Sequence, residues 1–132
     1  MKEYYNNGKL MFEGEYLNGE KWNGNGYNND NIIYSLKNGK GFIKEYYNDG
    51  KLEFEGEYLN GERNGKGKEY NDNGELIFEG DYLNGKRNGK GKEYDYNGKL
   101  IFEGEYLNGK RSGKGKEFIR GKLIFEGEYY LI

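Results

Sequence analysis

Pairs of carboxylates recur along the chain: Glu55/Glu57, Glu79/Asp81, Glu103/Glu105 and Glu126/Glu128. Two carboxylates close together are the working parts of a glycosidase, provided that their surroundings push the two pKa values apart. Here every pair stands in the same local sequence, F-E-G-(E/D)-Y, with lysines available to neutralise it. Such pairs read as rungs of a salt ladder. The run Asn64-Gly65-Lys66-Gly67-Lys68, repeated from Asn88, is rich in Gly and Lys like a phosphate loop. A P-loop needs G-x-x-x-x-G-K-(S/T) opening a helix. The chain has no Thr, its serines are Ser35 and Ser112, and dense glycine opposes a helix. His and Cys are absent, which removes the commonest general base, the commonest metal ligand and the thiolate nucleophile. No catalytic, cofactor-binding or metal residue emerges, and the chain reads as a non-enzyme.

The elements must then be built for another purpose. The chain has 132 residues, read as one domain over 1–132, with 21 basic and 23 acidic residues and a net charge of -2. That near-balance does not suit a nucleic-acid binder. Only 33% of residues are hydrophobic, dominated by 15 Tyr and 7 Phe, and Ala, Val, Thr, Gln and Pro are missing. A close-packed aliphatic core is out of reach. The apolar runs are far too short for a spanning helix, and MKEYYNNGK lacks the apolar stretch of a signal peptide. The expectation is a cytoplasmic protein.

F-E-G-(E/D)-Y begins at Phe12, Phe54, Phe78, Phe102 and Phe125, so the last intervals are 24, 24 and 23 residues. Between Phe12 and Phe54 lies a degenerate unit near 32–50, giving about five to six units in all. Within a unit, Leu76, Phe78, Gly80 and Tyr82 alternate with Ile77, Glu79 and Asp81, which is strand periodicity. Asn73-Gly74 and Asn97-Gly98 are signals for two-residue type I′ hairpin turns. A tight turn at Asn97-Gly98 pairs residues whose numbers sum to 195. Gly91 then faces Gly104, Lys92 faces Glu103, Lys90 faces Glu105 and Tyr94 faces Ile101. Through a longer loop from Asn84 to Asn88, Gly80 meets Gly91, Glu79 meets Lys92 and Asp81 meets Lys90. Each lysine sits between carboxylates, at about 0.2–1 kcal/mol per opposite-charge pair. Phe, Tyr and Gly occupy the other face, with rings lying over the glycines. One hairpin cannot cover its aromatic face alone, but a row of copies can.

The spacing Phe78, Gly80, Tyr82, Gly85, Gly89, Gly91 recurs from Phe54 (Gly56, Tyr58, Gly61, Gly65, Gly67) and from Phe102 (Gly104, Tyr106, Gly109, Gly113, Gly115). It resembles the MORN repeat, and the preceding N-G-K-L resembles the related bacterial variant found in antitoxin-like proteins. The resemblance implies an all-β fold: an elongated single-layer antiparallel sheet of tandem β-hairpins. It also implies scaffolding, dimerisation, membrane association or regulation of an attached enzyme.

Three surfaces follow from this reading. The candidate binding face is Phe54, Tyr58, Phe78, Tyr82, Phe102, Tyr106, Phe125 and Tyr129, forming an aromatic-glycine groove for an unidentified protein partner. The candidate lipid-contact edge is Lys21, Arg63, Lys86, Arg87, Lys110 and Arg111, placed at loop tips where anionic head groups could meet them. The C-terminal strand, Leu123 to Ile132, lacks the protections of an edge strand and reads either as pairing with an identical chain in a symmetric dimer or as an end that frays or folds back over the aromatic face. Trp22, the single Trp, reads either as a binding anchor or as a cover for the first hairpin loop. The leading function is a non-catalytic protein-binding scaffold without cofactor or nucleic acid. The alternatives are a membrane-peripheral module on anionic lipid and a regulatory fragment of a larger enzyme.

Overall fold

The structure, a computed structural model, describes residues 1–130. Leu131 and Ile132, the end of the strand read either as pairing with another chain or as a loose end, lie outside the described residues. The described chain is all-β: β1 (Lys2–Tyr4), β2 (Leu10–Leu17), β3 (Glu20–Asn28), β4 (Asn31–Leu36), β5 (Gly41–Tyr46), β6 (Leu52–Leu59), β7 (Glu62–Tyr70), β8 (Leu76–Leu83), β9 (Lys86–Tyr94), β10 (Leu100–Leu107), β11 (Lys110–Ile119) and β12 (Lys122–Tyr129). Every strand pairs antiparallel with its sequence neighbours, as tandem hairpins require, except across one break. β1–β4 form a four-stranded sheet and β5–β12 an eight-stranded one. The single continuous sheet expected from the repeat therefore divides in the degenerate segment. There β4 and β5 meet through a tight turn with one isolated bridge, Lys37 to Lys40. The turn row nonetheless runs on across the break. Gly39 N–H donates to Trp22 O at 2.8 Å and Gly61 N–H donates to Gly39 O at 2.9 Å.

The two kinds of turn are the reverse of the sequence expectation. Asn84-Gly85 is the two-residue turn: both residues have positive φ (49° and 86°), and Leu83 pairs with Lys86. That is type I′ geometry, which Asn and Gly alone adopt cheaply. Asn18-Gly19, Asn60-Gly61 and Asn108-Gly109 have the same signs. Asn97 lacks positive φ, and the connection there closes one residue earlier, through Asp95 N–H to Lys99 O at 2.9 Å. Asp95 Oδ1 accepts the amides of Asn97 and Lys99, holding a three-residue loop.

The interior register is as expected: Gly104 faces Gly91, Glu103 faces Lys92, Glu105 faces Lys90, and Gly80 faces Gly91. Tyr94 pairs with Leu100, not Ile101, because a bulge between Leu100 and Phe102 shifts the register. The longer loop and this bulge offset one another, which is why the sum of 195 holds in mid-strand. A second bulge lies opposite Asp81, where Gly89 has φ 101°. Asp81 consequently accepts the backbone N–H of Lys90 at 3.4 Å instead of facing its ammonium.

Candidate functional site

The expected binding face is a sealed core. Phe54, Phe78 and Phe102 are fully buried, and Tyr82 and Tyr106 nearly so. Each Phe lies over the glycine of the following strand: a Cβ on Gly91 would stand 2.6 Å from the Phe78 ring and 2.9 Å from Tyr106. Tyr106 meets Phe78 edge-on at 5.2 Å, and Tyr82 meets Phe54 in the same way, the arrangement that ring quadrupoles favour. Tyr58 and Tyr129 are half-buried, and Phe125 alone of the eight named residues is open, at 43% exposure. The aromatic face is thus no groove for a partner except at its C-terminal end.

The arginines close it. Arg63, Arg87 and Arg111 were expected on loop tips. The tight Asn-Gly turns place them opposite Tyr58, Tyr82 and Tyr106, inside β7, β9 and β11. Their guanidinium carbons stand 4.0, 3.9 and 4.1 Å from the centres of Phe54, Phe78 and Phe102. Each also binds a carboxylate two strands back: Arg63 to Glu45, Arg87 to Glu69 and Arg111 to Glu93, all at 2.9 Å. Arg87 and Arg111 bind in two-pronged fashion. The same carboxylates accept the hydroxyls of Tyr58, Tyr82 and Tyr106. A planar fork suits this combined stacking and pairing.

The electrostatics follow from this geometry. Burial raises the Glu69 carboxyl, but the hydrogen bonds from Arg87 and Tyr82 outweigh it and hold the group below the usual carboxylate range. Glu93 is lowered in the same way by Arg111 and Tyr106. Burial, with the bond to Glu69, drives the Tyr82 hydroxyl well above the usual tyrosine value. The repeating Arg–Glu–Tyr cluster was missed in the sequence reading. Its signal was present: an Arg two residues after Gly61, Gly85 and Gly109, and a Glu just before Tyr46, Tyr70 and Tyr94.

Of the remaining basic-edge residues, Lys86 and Lys110 are exposed, as expected of loop tips. Lys21 is half-buried, sits 4.8 Å from the centre of the Phe12 ring and pairs with Glu3 at 3.5 Å. It fills the place that Arg takes in later units. Trp22 packs against Gly39, at the turn linking the two sheets, and not over the first hairpin loop.

The open concavity lies on the charged face. A groove of about 1110 Å³ runs across the eight-stranded sheet, floored by Gly67, Gly80, Gly91, Gly104 and Gly115. Its walls carry Lys66, Lys68, Lys90, Lys92, Lys114 and Lys116 and, between them, Glu55, Glu79, Glu103, Glu105, Glu126 and Glu128. The register places Lys92 between Glu79 and Glu103. Among the described residues, two rungs of this ladder close to ion-pair distance: Lys66 to Asp81 at 2.5 Å and Lys116 to Glu126 at 3.8 Å. Lys68, Lys90, Lys92 and Lys114 are exposed and form no ion pair there. Glu57 and Glu105 spend an oxygen on bulge amides, those of Lys66 and Lys114, at 2.6 and 2.7 Å. Glu55 and Glu79 accept the hydroxyls of Tyr70 and Tyr94, at 2.6 and 2.8 Å. Burial and these carboxylates push both tyrosines up to about 12. The groove therefore presents hydrogen-bonded acceptors beside exposed ammonium groups that form no ion pair.

Among the described residues, no cluster of His, Cys, Asp or Glu has the geometry of a metal site, and no helix is long and apolar enough to cross a membrane. Comparison with known families finds the MORN repeat at residues 54–75, 78–99 and 102–122, and the MORN repeat variant at 1–18 and 43–60. No curated protein matches the chain.

Proposed function

The chain belongs to the MORN repeat family, a non-catalytic repeat type, and on that footing we propose that it serves as a protein-docking platform through its charged groove. The observation that carries this reading is the alternation along the groove walls of lysines, four of which (Lys68, Lys90, Lys92 and Lys114) form no ion pair, with carboxylates, of which Glu55, Glu79 and Glu105 are held by hydrogen bonds. Successive units lie two strands apart, about 9.6 Å, so charge of each sign repeats at that interval. An extended protein segment with a charge of one sign at about every third residue, each about 3.3 Å along the chain, matches such an interval. Charge complementarity of this kind sets register and partner choice more than raw affinity. The aromatic face is a poorer candidate, since its rings are buried or half-buried everywhere but at Phe125.

The lipid reading loses most of its basic edge, because Arg63, Arg87 and Arg111 are tied to carboxylates and rings. Lys86 and Lys110 remain. One experiment separates the two. Immobilised chain is exposed to native lysate, and to phosphatidylserine-containing vesicles, as wild type, as Lys90→Glu/Lys92→Glu/Lys114→Glu and as Lys86→Glu/Lys110→Glu. A stoichiometric protein lost with the groove variant and kept by the edge variant is the expected result. Capture indifferent to the groove charges, or vesicle binding abolished by the edge variant, overturns it.

A further inference from the structure

The charged groove has an end inside the chain, and an aromatic side chain stands at it. Leu36 faces Gly24 as Gly80 faces Gly67, and Ile43 faces Gly56 as Gly91 faces Gly104. These two aliphatic residues hold the positions at which the later hairpins set glycine against glycine. A Cβ on Gly80 would stand 2.7 Å from the Gly91 Cα, so two side chains at such a crossing keep β4 and β5 from closing into one ladder. Among the described residues, the groove lining starts on β5 and takes nothing from β1–β4. Phe42 on β5 faces Glu57 as Lys90 faces Glu105, and Lys66 and Lys114 hold the same position against Asp81 and Glu128. One row therefore runs Phe42, Lys66, Lys90, Lys114, a residue on every second strand, at intervals of about 9.6 Å. Phe42 lines the groove and is 55% exposed.

The carboxylates of this row turn to the backbone. Glu57, Asp81 and Glu105 accept the amides of Lys66, Lys90 and Lys114, at 2.6, 3.4 and 2.7 Å. Lys66 pairs with Asp81, while Lys90 and Lys114 form no ion pair among the described residues. From β5 outward the row thus offers an open ring, a paired cation and two open cations. An occupant lying along it needs residues of one face about 9.6 Å apart. A β-strand returns to one face every second residue, about 6.6 Å, and its third residue points the other way. An α-helix returns after seven residues, about 10.5 Å, and falls farther out of step at each unit. Polyproline II has three residues per turn at about 3.1 Å each, hence about 9.3 Å per turn. Side-chain tips on a concave face converge, which draws the interval toward that value. Its backbone makes no internal hydrogen bonds, so its carbonyls are also open to the lysine ammonium groups.

We propose that the partner segment of this groove is an acidic polyproline II helix with an apolar residue at one end, an inference that rests on the docking role above. Its carboxylates, three residues apart, lie over Lys90 and Lys114, and its apolar residue packs on Phe42. Phe42 and Lys90 are four strands apart, about 19 Å, which is about six residues of polyproline II. Counted from the Phe42 end, the pattern is an apolar residue followed by acids six and nine residues along. A preformed helix of this kind loses little entropy on docking, and the aromatic end fixes which residue meets which lysine.

Labelled synthetic decapeptides, titrated with the intact chain up to about 1 mM by fluorescence anisotropy, provide the test. The first is polyproline with Leu at the first position and Glu at the seventh and tenth, and the second is its reversed sequence. A third has the composition of the first with Glu moved to the sixth and eighth positions, and a fourth replaces every Pro of the first by Thr. One of the first two peptides is expected to bind about tenfold or more tighter than the third and fourth. Phe42→Ala should weaken it about tenfold, and Lys90→Glu/Lys114→Glu by more. Circular dichroism of each variant establishes that the sheet persists. Equal binding of in-register and displaced acids, tighter binding of the Thr peptide, indifference to Phe42→Ala, or no binding at all overturns the inference. Lysate capture judges the docking role separately: capture that still depends on the groove charges, beside failed peptides, keeps that role and removes this ligand.

Discussion

The first hairpin and the later ones bury the same phenylalanine in different ways. Phe12 and Phe78 are both fully enclosed. Over Phe78 lies Arg87, forked onto Glu69, whose carboxylate also receives Tyr82. Over Phe12 lies Lys21, farther from the ring and 3.5 Å from Glu3, while the Tyr16 hydroxyl has no partner. An ammonium is a point charge and cannot stack on a ring while gripping both oxygens of a carboxylate. In this chain a Lys in the place of an Arg accompanies the loss of a connected cluster of aromatic, cation, anion and hydroxyl. Around Phe12 the shortfall is made up by aliphatic and aromatic packing from the degenerate segment, through Tyr34, Leu36 and Ile43.

The largest expected effect tests whether the regions share a floor and differ only in their cover. A Cβ on Gly104 would stand 2.7 Å from Gly115 Cα and 2.7 Å from Lys114 O, and one on Gly14 would stand 2.0 Å from Asn23 O. These are backbone atoms, so relief requires moving strands. Gly104→Val and Gly14→Val should each cost about 3 kcal/mol or more, read by urea unfolding. A silent Gly14→Val would mean that the first hairpin differs in its backbone as well.

The next effect isolates the cation. Arg87→Ala removes the ring cover and strands a largely buried Glu69. The cost should be about 2–3 kcal/mol, below that of a fully buried pair because the site keeps some solvent. Lys21→Ala should cost less than about 1 kcal/mol, and Lys21→Arg should stabilise by about 0.5 kcal/mol. Equal losses for Arg87→Ala and Lys21→Ala would erase the distinction.

Much of this scaffold was legible in the sequence, for physical reasons. A period of two fixes faces, so Gly opposite Gly and Lys opposite Glu follow once any mid-strand register is right. The turns were less legible, because Asn-Gly occurs at both ends of each unit. Only the Asp95 carboxylate, accepting two amides ahead of it, shows that Asn97-Gly98 closes a three-residue loop. That error hid the arginines. With the tight turn at Asn84-Gly85, alternation carries Arg87 to the aromatic face opposite Tyr82. With a long loop there, it is a solvent-exposed tip. The break between β4 and β5 coincides with the segment in which the repeat spacing fails. The concavity of the charged face has no signature in the period-two pattern.

The carboxylates and hydroxyls of the later units also fix a pH response. Glu69 and Glu93 titrate below the ordinary carboxylate value in the folded chain. Their contribution is present above about pH 4.3 and is lost as the pH falls through their lowered values. Tyr70 and Tyr94 are raised to about 12. Their contribution is present below the unfolded value of about 10 and is lost as the pH rises from there through 12. Melting temperature should therefore be flat near neutrality and fall on both flanks. Arg87→Ala should blunt the acid limb by removing the cause of the lowered Glu69 value.

The smallest effect is the most direct test that the connected cluster, and not the ring alone, distinguishes the later hairpins. Tyr82→Phe and Tyr16→Phe delete one oxygen each at equivalent positions. Tyr82 donates to the charged Glu69, so its loss should cost about 1.5 kcal/mol. Tyr16 has no partner to lose, and removing a buried unpaired hydroxyl should cost nothing or stabilise slightly. Urea unfolding of both variants beside the parent decides it. A destabilised Tyr82→Phe with an unchanged or raised midpoint for Tyr16→Phe is the predicted result, and equal losses at the two positions would contradict the account.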